Sequence, residues 1–186
     1  MKIHQFDNPQ QYYERVKKYL FQHEADHSSI LGMSNTLIRS FEHFTQQPYL
    51  VAVEYETILA VAVRTPPRKL ILSRAVNTEA IALIAQDLYS HSQPLPCIIA
   101  PATEAKTFAD AWQALTGQSY KIGMRSRIYQ LETVEPIPKA SGYLRRATKC
   151  DRQLLISWCK AFIREAIGND AVKVEERNIS VDNGTL

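Results

Sequence analysis

Glycine is scarce in this chain: of 186 residues only six are glycine, and no two of them are grouped. That excludes a phosphate-cradling glycine loop, because backbone N–H groups approach a phosphate closely only where Cβ atoms are missing. Cysteine is scarce as well. Cys97, Cys150 and Cys159 are odd in number, scattered and without C-x-x-C spacing, which reads as reduced thiols in a cytoplasmic protein and gives no Cys/His metal cluster. No run approaches the ~18 apolar residues of a membrane-spanning helix. The N-terminus, MKIHQFDNPQQYYERVKKY, lacks the uninterrupted apolar stretch of a signal peptide. There is no strong excess of charge of either sign. The net charge is +3, and basic residues cluster only as the pairs Lys17-Lys18 and Arg145-Arg146, so neither nucleic acid nor an anionic membrane is indicated as a partner. No nucleophilic Ser or Cys elbow is present.

What is present is ordinary globular material, 45% hydrophobic and 22% charged, organised around Tyr49 to Ser73. Leu50 to Glu54, Ile58 to Val63 and Leu70 to Leu72 are short apolar runs rich in β-branched residues, with Thr65-Pro66-Pro67 as a breaker. They predict three consecutive strands. A run apolar on both faces belongs at the centre of a sheet covered by helices on both sides. The turn Glu54-Tyr55-Glu56 lacks Asn-Gly chemistry, yet the flanking runs leave room only for a hairpin.

The covers are legible on either side. Lys2 to Phe6 predicts a short strand, and Asp7 or Asn8 caps a helix with Pro9 in its first turn, carrying Tyr12, Tyr13, Val16, Tyr19 and Leu20. Asp26 to Ser29 predicts the cap of a second helix through Phe41. Asn77 or Thr78 caps a helix over Glu79 to Ser90, and Leu95 to Ala100 predicts a buried strand. Thr103 caps a helix carrying Phe108, Trp112 and Leu115, which closes at Gly117. Ser119 to Leu131 predicts one or two further strands. Residues 132–141, with two prolines and no periodicity, predict a linker. Gly142 to Ala147 then predicts a strand. Thr148 and Asp151 begin a helix with Leu154, Leu155, Trp158 and Phe162 that ends near Gly168, and a further helix is expected within Val172 to Asn183.

One short motif stands apart. His23-Glu24-Ala25-Asp26-His27 matches H-E-x-x-H, which on one helix face binds zinc. Asp26 places a charge inside it and is itself expected to cap the next helix, and no third ligand is evident. It reads as a surface helix end.

The order strand, helix, helix, three strands, helix, strand, helix, strand, strand over residues 1–131 resembles the GNAT superfamily of N-acetyltransferases. So do the phrases LGMSNTLI, AVAVRTPP, PATEAKTFADAW and GYLRRATKCDRQLLISWCKAF. Residues 142–186 resemble the opening of a second copy. The resemblance implies a mixed α/β fold, with a mainly antiparallel central sheet flanked by helices in GNAT-like topology. It also implies acyl transfer from acetyl-CoA to a small-molecule or peptide amine. The family's Q/R-x-x-G-x-G/A pyrophosphate loop would fall on Ser73 to Thr78, where Arg74 is the candidate phosphate contact and glycine is missing. In the second copy, Trp158, Phe162 and Glu165 would line the acceptor pocket, with Glu165 attracting or deprotonating an ammonium group; the other reading of these three is an amphipathic helix with two core aromatics and a solvated carboxylate. The Glu175-Glu176-Arg177 stretch reads as solvent-facing.

The expectation is therefore a degenerate first copy, and a second copy that reaches Leu186 before its cofactor site, so that acetyl-CoA is not bound by this chain alone. The alternative is a non-enzymatic binding or regulatory module. A piece as short as residues 142–186 buries little core by itself. It is expected to dock on the first domain, pair with another chain, as in a homodimer through this segment, or stay partly disordered.

Overall fold

The structure is a computed structural model that describes residues 1–91, 94–138 and 141–166. The chain divides into two compact units, Met1–Thr133 and Val134–Leu186.

The first unit is built on five strands in the order β1-β2-β3-β4-β5. These are β1 (Lys2–Gln5), β2 (Tyr49–Tyr55), β3 (Thr57–Arg64), β4 (Leu70–Leu72) and β5 (Ile98–Ile99). The first three pairings are antiparallel, and β5 joins β4 in parallel. The helices are α1 (Pro9–Leu20), α2 (Glu24–Arg39), α3 (Thr78–Ser90) and α4 (Ala102–Thr116). This is a mixed α/β fold with a mostly antiparallel sheet.

The central hairpin behaves as its composition demands. Alternate residues point to opposite faces of a strand, and both faces are apolar. Tyr49, Val51, Val53, Ala60 and Ala62 pack with Ile81, Ile84 and Leu88 of α3 and Phe108 of α4. Leu50, Ala52, Val61 and Val63 pack with Tyr12, Val16 and Leu20 of α1 and Ile30 and Leu37 of α2. The helices preceding the meander thus cover one face, and those following it cover the other. Each fully buried aliphatic side chain contributes about 1.5–3 kcal/mol relative to exposure. The hairpin turns at Glu56, whose φ of 58° lies in the left-handed region.

Caps set the helix boundaries. Asn8 Oδ1 accepts from Gln11 N at 3.0 Å, with Pro9 in the first turn of α1. Asn77 Oδ1 accepts from Ala80 N at 3.0 Å. Gly117, at φ 73°, closes α4 with its N–H on Gln113 O. Thr103 is not the cap of α4. The helix starts two residues earlier than that cap would set it, at Ala102, with Pro101 at the cap position and no side-chain cap bond.

Arg64, at the end of β3, is only 2% exposed. Its Nε donates to Arg68 O at 3.0 Å, and its Nη2 donates to Pro94 O. One buried guanidinium thereby ties the 65–69 turn to the approach to β5.

Three strand expectations are corrected. The buried strand expected over Leu95 to Ala100 shrinks to Ile98–Ile99, since Pro94 and Pro96 supply no N–H to a ladder. Ser119 to Leu131 holds no strand, and residues 117–138 are exposed throughout. Gly142 to Ala147 holds none either. β-Propensity is realised only against a partner strand, and neither segment has one among the described residues.

In the second unit, Lys149–Asp151 forms a single 3-10 turn that leads into α5 (Arg152–Ala166). Thr148 and Asp151 form a capping box: the Thr148 side chain accepts from Asp151 N, and Thr148 N donates to Asp151 Oδ2 at 2.7 Å; Thr148 Oγ1 also donates to Oδ2 at 2.9 Å. Arg145 adds a bidentate pair to Asp151, both bonds 2.7 Å. Arg145 first, and Thr148 after it, hold the Asp151 carboxyl below the usual carboxylate range. No α5 residue is buried. The expected helix end at Gly168, the helix within Val172 to Asn183 and the Glu175-Glu176-Arg177 stretch lie outside the described residues.

Candidate functional site

The segment from Ser73 to Asn77 joins β4 to α3, the position at which the family resemblance puts a pyrophosphate loop. Its value as an anion site depends on where its N–H groups point. Four successive ones are already used. Ser73 N donates to Val61 O at 3.0 Å, and Val76 N donates to Leu59 O at 2.8 Å. Arg74 N donates to His27 Nε2 at 3.1 Å, and Ala75 N donates to Glu104 Oε1 at 2.9 Å. Within the first turn of α3, Ala80 N is taken by Asn77 Oδ1.

Side chains complete the closure. Val61 N donates to Ser73 Oγ at 2.9 Å. Tyr19 from α1 reaches Arg74 O and Leu59 O with its hydroxyl. The Arg74 guanidinium, the phosphate contact that the family resemblance implies, is paired with Asp26 of α2 at 2.9 Å. Two carboxylates, Asp26 and Glu104, therefore occupy the groups that a phosphate would need. A pyrophosphate would meet their negative charge, the engaged donors of Ser73 to Val76, and Cβ atoms where the binding motif has glycine. The residues present do not fit the cofactor's diphosphate.

His27 is the pivot of this arrangement, and its reading as part of a surface helix end is overturned. Phe21–His23 forms a 3-10 turn and α2 begins at Glu24, so Asp26 lies inside the first helical turn rather than capping it. His27 is 1% exposed. It stacks on Tyr19 with ring centroids 5.7 Å apart, and His23 meets its edge at 6.1 Å. Its Nδ1 lies 2.9 Å from Leu20 O. Nε2 accepts from Arg74 N, so the neutral tautomer with the proton on Nδ1 satisfies both contacts. Burial, the largest influence, pushes the His27 pKa down, although the Leu20 carbonyl opposes it. Both nitrogens are committed to the backbone, and among the described residues no group of three or more His, Cys, Asp or Glu could hold a metal ion.

A second polar cluster sits where β1 and β2 meet the end of α3. The Asp87 carboxylate accepts from Tyr49 Oη at 2.7 Å and from Gln5 Nε2 at 3.0 Å. His91 Nδ1 lies 4.0 Å from it. Burial first, and the Asp87 bond after it, push the Tyr49 phenol well above its usual range. A shallow cavity of about 130 Å³ opens beside this cluster, lined by Gln5, Tyr49 and His91 among others. Asp87 is already bonded by two donors, so the cluster reads as a polar clasp between sheet and helix.

The acceptor-pocket candidates Trp158, Phe162 and Glu165 share one face of α5, at i, i+4 and i+7. All three are exposed, Trp158 by 62% and Phe162 by 67%. They belong to the second unit and Arg74 to the first. Sequence reasoning missed Glu104 and Asp87, and it placed Tyr19 on the apolar face of α1 without its loop contact. An acidic residue in a first helical turn is a common dipole partner, and no local signal tells that Glu104 reaches a loop 29 residues away.

Searches of protein-family models, of curated proteins and of solved structures return no match.

Proposed function

We propose that the first unit is a non-enzymatic scaffold or binding module built on a degenerate GNAT-like fold, and that it does not use acetyl-CoA. The observation carrying this reading is the Glu104 carboxylate on Ala75 N–H, in the loop where the resemblance would have backbone donors face a phosphate. The Arg74–Asp26 pair supports it, and so does the absence of glycine from Ser73 to Thr78. On the same reading α5 belongs to a second GNAT-like copy. Its face bearing Leu154, Leu155, Trp158 and Phe162 is a partner-binding stripe, and Glu165 is a carboxylate beside it rather than a base.

Calorimetric titration of the full chain with acetyl-CoA tests the proposal. The expected result is no heat of binding. Saturable binding that is lost in Arg74→Ala would overturn it and restore the transferase reading, with an amine as acceptor.

A further inference from the structure

We propose that the cavity beside the Asp87 clasp is a binding site for a compact organic ammonium ion. The site stands apart from the function proposed above. Tyr49, Arg64 and Leu70 pair in register across β2, β3 and β4. The cavity beside Tyr49 therefore lies at the start of β4, whereas the Ser73–Asn77 loop follows its end.

The walls come from three places: the end of β1 with the residues after it, the start of β2, and the end of α3. Phe6, Tyr49 and His91 supply rings, and Leu50 and Leu88 supply apolar surface. The Tyr49 and His91 rings meet edge to face, with centroids 5.5 Å apart and 75° between planes. An aromatic face attracts a cation through its quadrupole.

The hydrogen-bond donors of the wall are engaged by the protein itself. Tyr49 Oη and Gln5 Nε2 donate to Asp87, Gln47 Nε2 donates to Asp7 O at 3.2 Å, and His91 Nδ1 lies 2.8 Å from Asp87 O. An anion therefore finds little to hold it. A cation finds more. The Asp7 carboxylate lines the cavity, and no described side chain bonds it. Asp87 adds a second negative charge beside it, with its side chain only 15% exposed. Among the described residues no lysine or arginine lines the cavity, so the local field is negative. No group of three or more His, Cys, Asp or Glu is assembled among the described residues, which disfavours a metal ion. An alkylammonium ion needs no ligand set and presents apolar carbon to the rings and leucines. The volume of about 130 Å³ is close to the ~150 Å³ that holds benzene, which limits the ligand to about six heavy atoms.

Tetramethylammonium is the probe. The isotope-labelled full chain is titrated with its chloride, sodium chloride holding the ionic strength constant, and amide chemical shifts are followed by NMR. The expected result is saturable shifts confined to residues 5–7, 47–50 and 88–91. tert-Butanol, neutral and of similar size, should give none. Asp7→Asn keeps the backbone acceptor for Gln47 and should weaken binding about tenfold. His91→Ala should weaken it as well. Both positions are exposed, and unchanged circular dichroism will show that the fold survives. If either variant fails to fold, the comparison of the two probes on the unaltered chain still decides. Absence of saturable shifts overturns the proposal. So does an equal response to tert-butanol, because the cavity then selects shape and not charge. Undiminished binding by folded D7N overturns it too, as do shifts centred on another aromatic surface such as Trp158.

Discussion

A few side chains carry a disproportionate share of this fold, and two of them are cationic or titratable groups held out of water. His27 is neutral in the folded state, with Nδ1–H on Leu20 O and Nε2 accepting from Arg74 N. Protonation would turn Nε2 into a donor facing the Arg74 N–H, close to the Arg74 guanidinium and His23; Asp26 offsets only part of this. The folded pKa lies below the ordinary value of 6.5. Between these two values the unfolded chain binds more protons than the folded one, so stability is full above 6.5 and falls as pH drops through the window below it. Thermal unfolding between pH 7 and pH 5 should therefore show a declining midpoint that His27→Gln flattens, because glutamine can keep both contacts without titrating; an unchanged slope in H27Q would refute this role. Arg64 makes the second case. Arg64→Met leaves the Arg68 and Pro94 carbonyls without their buried donor. The expected loss is about 2–4 kcal/mol, read from the shift of the urea midpoint.

At the scale of elements, the joint between β4 and α3 is where the fold and the functional reading meet. Elements from three parts of the chain converge on it: α1 through Tyr19, α2 through His27 and Asp26, and α4 through Glu104. The loop is thus held as a structural joint. Its own cap, Asn77, contributes separately. Asn77→Ala should cost about 1 kcal/mol in chemical denaturation without altering the circular dichroism of the folded protein; a loss of the folded spectrum would mean that the joint depends on this cap.

At the scale of the whole molecule, the two units differ in kind. The first has a core on each face of its sheet. The second, over its described residues, offers a capped helix with no buried side chain. Limited trypsin digestion should cut first at Lys121, Arg125, Arg127, Arg145 or Arg146, which are exposed and lie outside any helix or strand. It should release the first unit as a resistant, folded fragment identifiable by mass spectrometry. Early cleavage inside α1 to α3 instead would mean that the first unit does not fold independently.

The sequence by itself determined the elements whose signals are local. Asp7-Asn8-Pro9, Asn77-Thr78 and Gly117 mark helix ends to within a residue, because capping is decided within three or four residues. The meander from Tyr49 declares itself because strands apolar on both faces have no other place than the middle of a sheet. The missing glycines at Ser73 to Thr78 were equally plain. Tertiary structure decided everything that depends on residues meeting across the chain. It brought His27 into the core, although its neighbours resemble a metal motif or a surface turn. It set Glu104 on Ala75 N–H and Asp26 on Arg74. It left Ser119 to Leu131 without a partner strand among the described residues despite its strand-like composition. Propensity is a property of a segment, whereas a hydrogen-bond partner, a buried environment and a sheet edge are properties of the folded chain.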